Sequence, residues 1–376
     1  FDAFSLSNET ELVKRLKLGN NNIPTANPDD ASLPGKTRFT TQLADQFLST
    51  YQIKDQHAND SSGFSATLLY DTQANSYTLS FRSTEYQNQG AGGDYGRDAL
   101  GADLDINFRG FAFGQLAAME DYYAQLKASG KLPAGATLNV TGYSLGGHLA
   151  TVFTELHAND PAIQFGQTVT FNGIGRGHIT GGTEATEAGR IDGMLQLFRA
   201  VLLNPAAGLT IIGDETAPDY EAAKALHDQE NIYPFTPFVS EASLGAAGNL
   251  YSDARYQWAV DVVREKYATS GTNGLPPPGE VGTGVGFNLI TQLFGHATSN
   301  DSEYVANRGV HGPGVDGPAT SIFIEDQPNL DGLGGLFGLN GDFGTTPSIT
   351  LIVDSLALME AYQTVDPNVT QASLGQ

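Results

Sequence analysis

The feature that most limits what this chain can fold into is the run Val140-Thr141-Gly142-Tyr143-Ser144-Leu145-Gly146-Gly147-His148. It joins a β-branched stretch, Ala136 to Tyr143, to an apolar stretch of helical period, His148 to Leu156. A strand that turns at once into a helix, with serine at the turn, needs glycine on both sides. A Cβ at Gly142 or Gly146 would collide with the neighbouring strand or helix. The turn strains the serine backbone and holds its hydroxyl above the sheet edge. The next backbone N–H, that of Leu145, then points at an oxyanion forming near the helix N-terminus. Ser144 is therefore read as a nucleophile and Leu145 as an oxyanion-hole donor.

The surroundings are consistent with a parallel sheet. Gln167 to Asn172 is a further strand, closed by Gly173 and Gly175, so strand, helix and strand form a βαβ crossover. Upstream, Phe64 to Tyr70 reads as a strand and Asp71 to Ser76 as a turn. Ser76 to Arg82 alternates Tyr77, Leu79 and Phe81 as a second strand. Phe111 to Leu126 has Leu116, Met119, Tyr123 and Leu126 on one helical face, and Thr40 to Ile53 spaces Leu43, Phe47 and Tyr51 as a helix does. Ser348 to Tyr362 reads as a closing helix, opened by Pro347. No fixed-period repeat occurs. The Gly-Pro-rich runs 272–286 and 309–318 read as long loops, so residues 1–376 are expected to form one α/β domain.

Composition removes other classes. With 40% hydrophobic residues in 376, the chain can bury a core. Its 19 basic against 42 acidic residues give a net charge of −23, which repels phosphate backbones and argues against a nucleic-acid partner. The absence of cysteine rules out disulfides, thiolate zinc sites and a cysteine nucleophile. Together with abundant Asp, Asn and Gly it suits an extracellular protein exported without disulfide chemistry. No apolar run approaches the roughly 18–20 residues that span a bilayer. The start Phe1-Asp2-Ala3 shows no signal peptide, and a chain beginning at Phe1 reads as a fragment of a longer protein. No HExxH, P-loop or dinucleotide fingerprint is present.

The GYSLGG turn, with Phe81-Arg82-Ser83-Thr84 at the end of the earlier strand, resembles the α/β-hydrolase lipases, in particular bacterial secreted lipases and class-3 lipases. The resemblance covers about residues 64–175. It implies an α/β-hydrolase fold, a mostly parallel sheet with helices on both faces and a lid or cap insertion. Those lipases carry F-R-G-[ST] at the strand end, which implies Thr84 as the second oxyanion donor through its N–H and hydroxyl. Ser83 stands where the family usually has glycine. The resemblance also implies an acid after the strand that follows Gln167–Asn172. Asp253, ending the run Gly248–Asp253, is preferred to Asp214, ending Leu209–Asp214. A histidine is expected just before the closing helix, but Thr345-Thr346-Pro347 stands there. His311 is preferred, with His296 as the alternative, and His148 and His157 are read as packing or surface residues.

The expected activity is carboxylic ester hydrolysis through an acyl-enzyme, with Ser144, Asp253 and His311 as the triad and Thr84 and Leu145 as the oxyanion hole. The insertion at 176–245 holds Met194, Leu195, Leu197, Phe198, Val201, Leu202 and Leu203, which reads as a lid or acyl pocket for a lipid-like or polyester substrate with transient lipid-interface contact. No cofactor is expected. Calcium is kept as an alternative, because Gly92–Asp98 and Leu339–Asp342 interleave carboxylates with glycine outside the EF-hand pattern. A phospholipase A1, and a catalytically degenerate hydrolase-fold binding module of a larger secreted protein, are the rival readings.

Overall fold

The computed structural model describes residues 41–85, 94–171, 176–179, 181–204, 250–252, 254–267, 269–270 and 319–322, with Leu12, Val13, Leu16 and Gly208 in addition. The architecture is α/β. Helix α1 (Thr41–Thr50) runs into strand β1 (Tyr51–His57), which pairs antiparallel with β2 (Ala66–Asp71), and β2 pairs antiparallel with β3 (Ser76–Phe81). Asp71 Oδ1 accepts the amides of Gln73 and Ala74 to close the β2–β3 turn, and Asn75 takes its left-handed position at φ 52°. Next come a short turn Tyr95–Arg97, a π-helical turn Asp98–Ala102 and helix α2 (Asp103–Arg109), then helix α3 (Phe113–Ala128).

Strand β4 (Thr137–Tyr143) pairs parallel with β3, helix α4 (Leu145–His157) follows directly, and β5 (Gln164–Phe171) pairs parallel with β4. Strand β6 (His178–Ile179), helix α5 (Glu187–Leu203), a 3-10 turn Leu250–Ser252, helix α6 (Ala254–Tyr267), β7 (Thr269–Ser270) and β8 (Ala319–Ile322) complete the described chain. The main sheet runs β1-β2-β3-β4-β5-β8, and β6 and β7 form a separate pair. The sheet is mixed: β3, β4, β5 and β8 are parallel neighbours, while β1 and β2 add an antiparallel flank.

The core follows from the period of these segments. In β4 alternate residues Leu138, Val140 and Gly142 are buried, as a strand with one covered face requires. Helix α4 is buried from Leu145 through Thr154, which its nearly unbroken apolar run demands. Leu116, Met119, Tyr123 and Leu126 of α3 are buried as the spacing predicts.

One expectation changes, and two further segments are placed in part. Tyr51 does not end a helix: α1 stops at Thr50, and Tyr51 opens β1, with its ring against Phe47 at a centroid distance of 4.9 Å. Helix α5, part of the segment read as a lid or cap, packs against α3 and α6. Ile191, Met194, Leu195, Phe198 and Val201 of α5 are buried, Phe198 lies against Phe113 and Tyr256 at 5.8 and 5.4 Å, and Leu203 alone of these apolar residues stands in solvent. Of the run ending at Asp253, Leu250–Ser252 is described. Leu250–Ser252 is a 3-10 turn whose Leu250 amide donates to Ser61 O at 2.9 Å and whose Tyr251 hydroxyl donates to Ser62 O at 3.2 Å. Asp253, Asp214, His296, His311, the residues of 205–249 other than Gly208, and Ser348–Tyr362 lie outside the described residues.

Candidate active site

The site begins with a backbone that a side chain rarely tolerates. Ser144 has φ 51° and ψ −115°, outside the small left-handed well that non-glycine residues occasionally use. Three hydrogen bonds hold it there. Its N–H donates to Phe171 O at 3.0 Å, and its carbonyl accepts from the amides of Gly147 at 2.9 Å and His148 at 3.2 Å. Neighbouring elements leave no room for relaxation. A Cβ on Gly142 would lie 1.9 Å from Gly146 O, and one on Gly146 would lie 2.5 Å from Phe81 O. Both glycines are therefore required by close approach, as the sequence argument holds.

Serine at a helix N-cap ordinarily accepts a bond from a helix amide. Ser144 makes no such capping bond, so its hydroxyl is not committed to the helix it begins. The first amides of α4, those of Leu145 and Gly146, have no acceptor within the helix. Leu145 itself is buried. A half-buried hydroxyl beside orphan amides at the positive end of a helix is an arrangement that can attack a carbonyl and stabilise the resulting oxyanion.

Thr84 belongs to the same edge. Phe81 pairs with Gly142 in the parallel register, so the segment leaving β3 and the turn leaving β4 end side by side. Thr84 is buried, and its hydroxyl donates to Asp103 Oδ2 at 2.8 Å. The hydroxyl is thus engaged by Asp103, and the donor that Thr84 can offer an oxyanion is its backbone N–H. Sequence reasoning missed Asp103, which lies in a Gly-Asp-rich stretch with no clear period.

Among the described histidine side chains, each is used in packing or pairing. His148 is fully buried, its Nε2 accepts the Ala112 amide at 3.2 Å, and its ring meets Phe111 edge-on. That bond places the ring proton of the neutral form on Nδ1. His157 Nε2 is 2.8 Å from Glu120 Oε1, and the His57 ring lies between Phe64 and Tyr122 at 5.2 and 5.1 Å.

A carboxylate cluster adjoins Thr84. Glu85, Asp94 and Asp98 are buried, and one oxygen from each lies within 4.8 Å of the others. Arg82 pairs with Glu85 and Arg97 with Asp94, leaving three carboxyls facing two guanidiniums. Asp98 Oδ2 accepts the Glu85 amide at 2.9 Å, and Asp98 Oδ1 accepts Gln115 Nε2 at 2.8 Å. Asp94 Oδ2 is enclosed and has no partner among the described residues. Gly63, at φ 82°, keeps the cradle open, because a Cβ there would sit 2.7 Å from Asp98 Oδ1 and 3.0 Å from Asp94 Oδ2. Burial pushes the Asp94 carboxyl up to about 6 and holds Asp98 well above the usual carboxylate range, the charge of Asp94 adding to the latter. An all-oxygen set with an orphan carboxylate oxygen suits a hard divalent cation.

No helix among the described residues is long and apolar enough to cross a membrane. No protein-family model matches the chain, and no curated protein matches it.

Proposed function

We propose that the chain is a carboxylic ester hydrolase of the α/β-hydrolase type, with Ser144 as nucleophile. The observation that carries this reading is the strained Ser144 turn, held by three backbone bonds while its hydroxyl makes no capping bond. A serine held at that cost above orphan helix amides is what acyl transfer requires. Ser144 attacks the ester carbonyl, the N–H groups of Leu145 and Thr84 bind the oxyanion, and a histidine carries the proton to the leaving alkoxide. His311 is the proposed histidine. Water then releases the acyl group. Met194, Leu195, Phe198 and Val201, four of the apolar residues that suggested a lipid or polyester substrate, are buried in α5, so the proposal extends to esters without a chain length. An extracellular setting is part of the proposal, from a composition rich in Asp, Asn and Gly and free of cysteine.

The acid is proposed at a new position. Among the described residues the strand after β4 that lies beside β5 is β8, and parallel strands end on one common edge, where β4 delivers Ser144. The next carboxylates in sequence after Ile322 are Glu325 and Asp326, no more than about 14 Å of extended chain away. Either serves to orient the histidine, with Asp253 as the alternative. A calcium ion held by Glu85, Asp94 and Asp98 belongs to the same proposal. It would balance the third buried carboxyl and brace the segment that carries Thr84.

Hydrolysis of p-nitrophenyl butyrate by the wild type, Ser144→Ala and His311→Ala tests the reading. Turnover by the wild type and background rates in both folded variants support it. An inert wild type sinks it and favours a binding module, for which the lack of histidine at Thr345–Pro347 speaks.

A further inference from the structure

Contacts at its two ends place helix α5 against the Ser144 turn. Arg176 is buried and pairs with both carboxylate oxygens of Glu155, near the end of α4, at 2.5 and 2.6 Å. It also pairs with Glu187, the first residue of α5, at 2.8 Å. The start of α5 therefore lies beside the end of α4, and the two helices pack together. Farther on, Phe198 lies against Phe113 at 5.8 Å. Phe113 follows Ala112, whose amide donates to His148 Nε2 at 3.2 Å, and His148 stands one turn beyond Ser144. The helices are thus antiparallel. Glu155 back to Ser144 and Glu187 on to Phe198 span the same number of residues, about 16 Å of helix each. Leu203 follows Phe198 by more than a turn, so it reaches roughly 7 Å past the level of Ser144, beyond the catalytic edge of the sheet.

Leu203 is 87% exposed there, the more exposed of two large apolar side chains in solvent among the described residues. We propose that Leu203 is a specificity-determining residue of the ester site, a fixed apolar rim against which the outer part of a long acyl chain lies. Resting on the hydrolase reading, this names the substrate class that the reading leaves open, uncharged esters whose acyl chain is long enough to reach the rim. With packed helix axes about 9 Å apart, the backbones of Ser144 and Leu203 stand roughly 12 Å apart, less the reach of their two side chains. An extended octanoyl chain runs about 9 Å beyond its carbonyl and covers that gap, whereas a butyryl chain runs about 4 Å and does not. The rim is fixed because α5 is held along its length. Arg199, one turn before Leu203, donates to Ala117 O at 2.5 Å and to Asp121 Oδ1 at 2.7 Å, both on α3. Swinging α5 outward would part these bonds and strand the buried charges of Arg176 and Glu155. Leu203 therefore meets a dissolved ester as readily as an aggregated one, with no lipid surface needed to uncover it.

The test compares kcat/KM of the full chain for p-nitrophenyl octanoate and p-nitrophenyl butyrate, both below the concentration at which the octanoate aggregates, with Tm as the check on folding. The wild type is expected to prefer octanoate. Leu203→Ser is expected to lower the octanoate-to-butyrate ratio about five-fold, since the leucine covers only part of its surface against the chain. Leu203→Met keeps an apolar side chain of similar length and is expected to keep most of the ratio. Leu43→Ser, the same change at the other exposed leucine, is expected to leave the ratio as it is. A wild type that prefers butyrate, a ratio unmoved by Leu203→Ser, or an equal shift in Leu43→Ser overturns the inference and leaves the hydrolase reading standing. So does octanoate turnover that begins only once the ester aggregates. A wild type without turnover of either ester overturns both.

Discussion

Gly146 approaches Phe81 so closely that a Cβ on the glycine would sit 2.5 Å from the Phe81 carbonyl oxygen. The contact joins the helix behind Ser144 to the strand that leads to Thr84, so both donors of the proposed oxyanion hole share one rigid junction. The obstacle is backbone, which cannot swing aside as a side-chain tip could. Gly146→Ala is expected to cost about 3 kcal/mol of stability by denaturant unfolding and to lower esterase activity further than the lost stability explains. An alanine variant as stable as the wild type would show that the junction is looser than this distance requires.

Ser144 should be a residue whose removal stabilises the fold. Glycine adopts φ 51° without penalty, whereas serine is strained there. Ser144→Gly is expected to gain about 1 kcal/mol after allowance for the more flexible unfolded chain, while abolishing hydrolysis. Ser144→Ala keeps the Cβ and should melt near the wild type. Calorimetry of the three proteins decides the point, and a lower Tm for the glycine variant would argue against stored strain.

Buried carboxyls set the direction of the pH dependence. Asp94 and Glu155 are pushed up to about 6 and Asp103 to about 7, chiefly by burial in each case. The folded chain keeps these protons where the unfolded chain, with carboxyls near 4, has lost them. Their contribution to stability is therefore greatest below about pH 4 and declines as pH rises through 6 to 7. Chelated protein should accordingly melt lower at pH 8 than at pH 5. Calcium, standing in for protons at Asp94 and Asp98, should raise Tm more at pH 8 than at pH 5. Equal calcium effects at both values would detach the ion from this cluster.

The acid can be identified by comparing Asp253→Asn, Glu325→Gln and Asp326→Asn. Removing the carboxylate of a triad costs roughly ten-thousand-fold in kcat with little change in substrate binding. That loss is expected in Glu325→Gln or Asp326→Asn, while Asp253→Asn retains most of the rate. The reverse pattern would return the role to Asp253.

What could be read in advance was whatever a short window encodes. The Ser144 turn and the strands beside it declare themselves through glycine spacing and period-two alternation, so β2 to β5 fall close to their expected bounds. Tyr51 could not be assigned, because Leu43, Phe47 and Tyr51 fit a helix although the chain changes element at that residue. Met194 and Phe198 announce a buried face without saying what covers it; α6 does, through Tyr256. Strand β8 is four residues with no apolar period of its own, and its pairing with Thr168–Phe171 makes it a strand. Asp103 was hidden for a related reason, since a π turn breaks the spacing by which faces are recognised.

The position of β8 also bears on how the molecule assembles. Strands β1 to β5 each meet partners nearby in sequence, whereas β8 reaches β5 only after residues 172–318 have been looped out. Closing so large a loop carries an entropic penalty that local pairings escape, so the order of folding is expected to follow the chain, with β8 docking onto a sheet already formed. The Ser144 turn belongs to the early part. Growth or loss of sequence within 172–318 should consequently alter the rate of that final docking far more than the geometry of the turn.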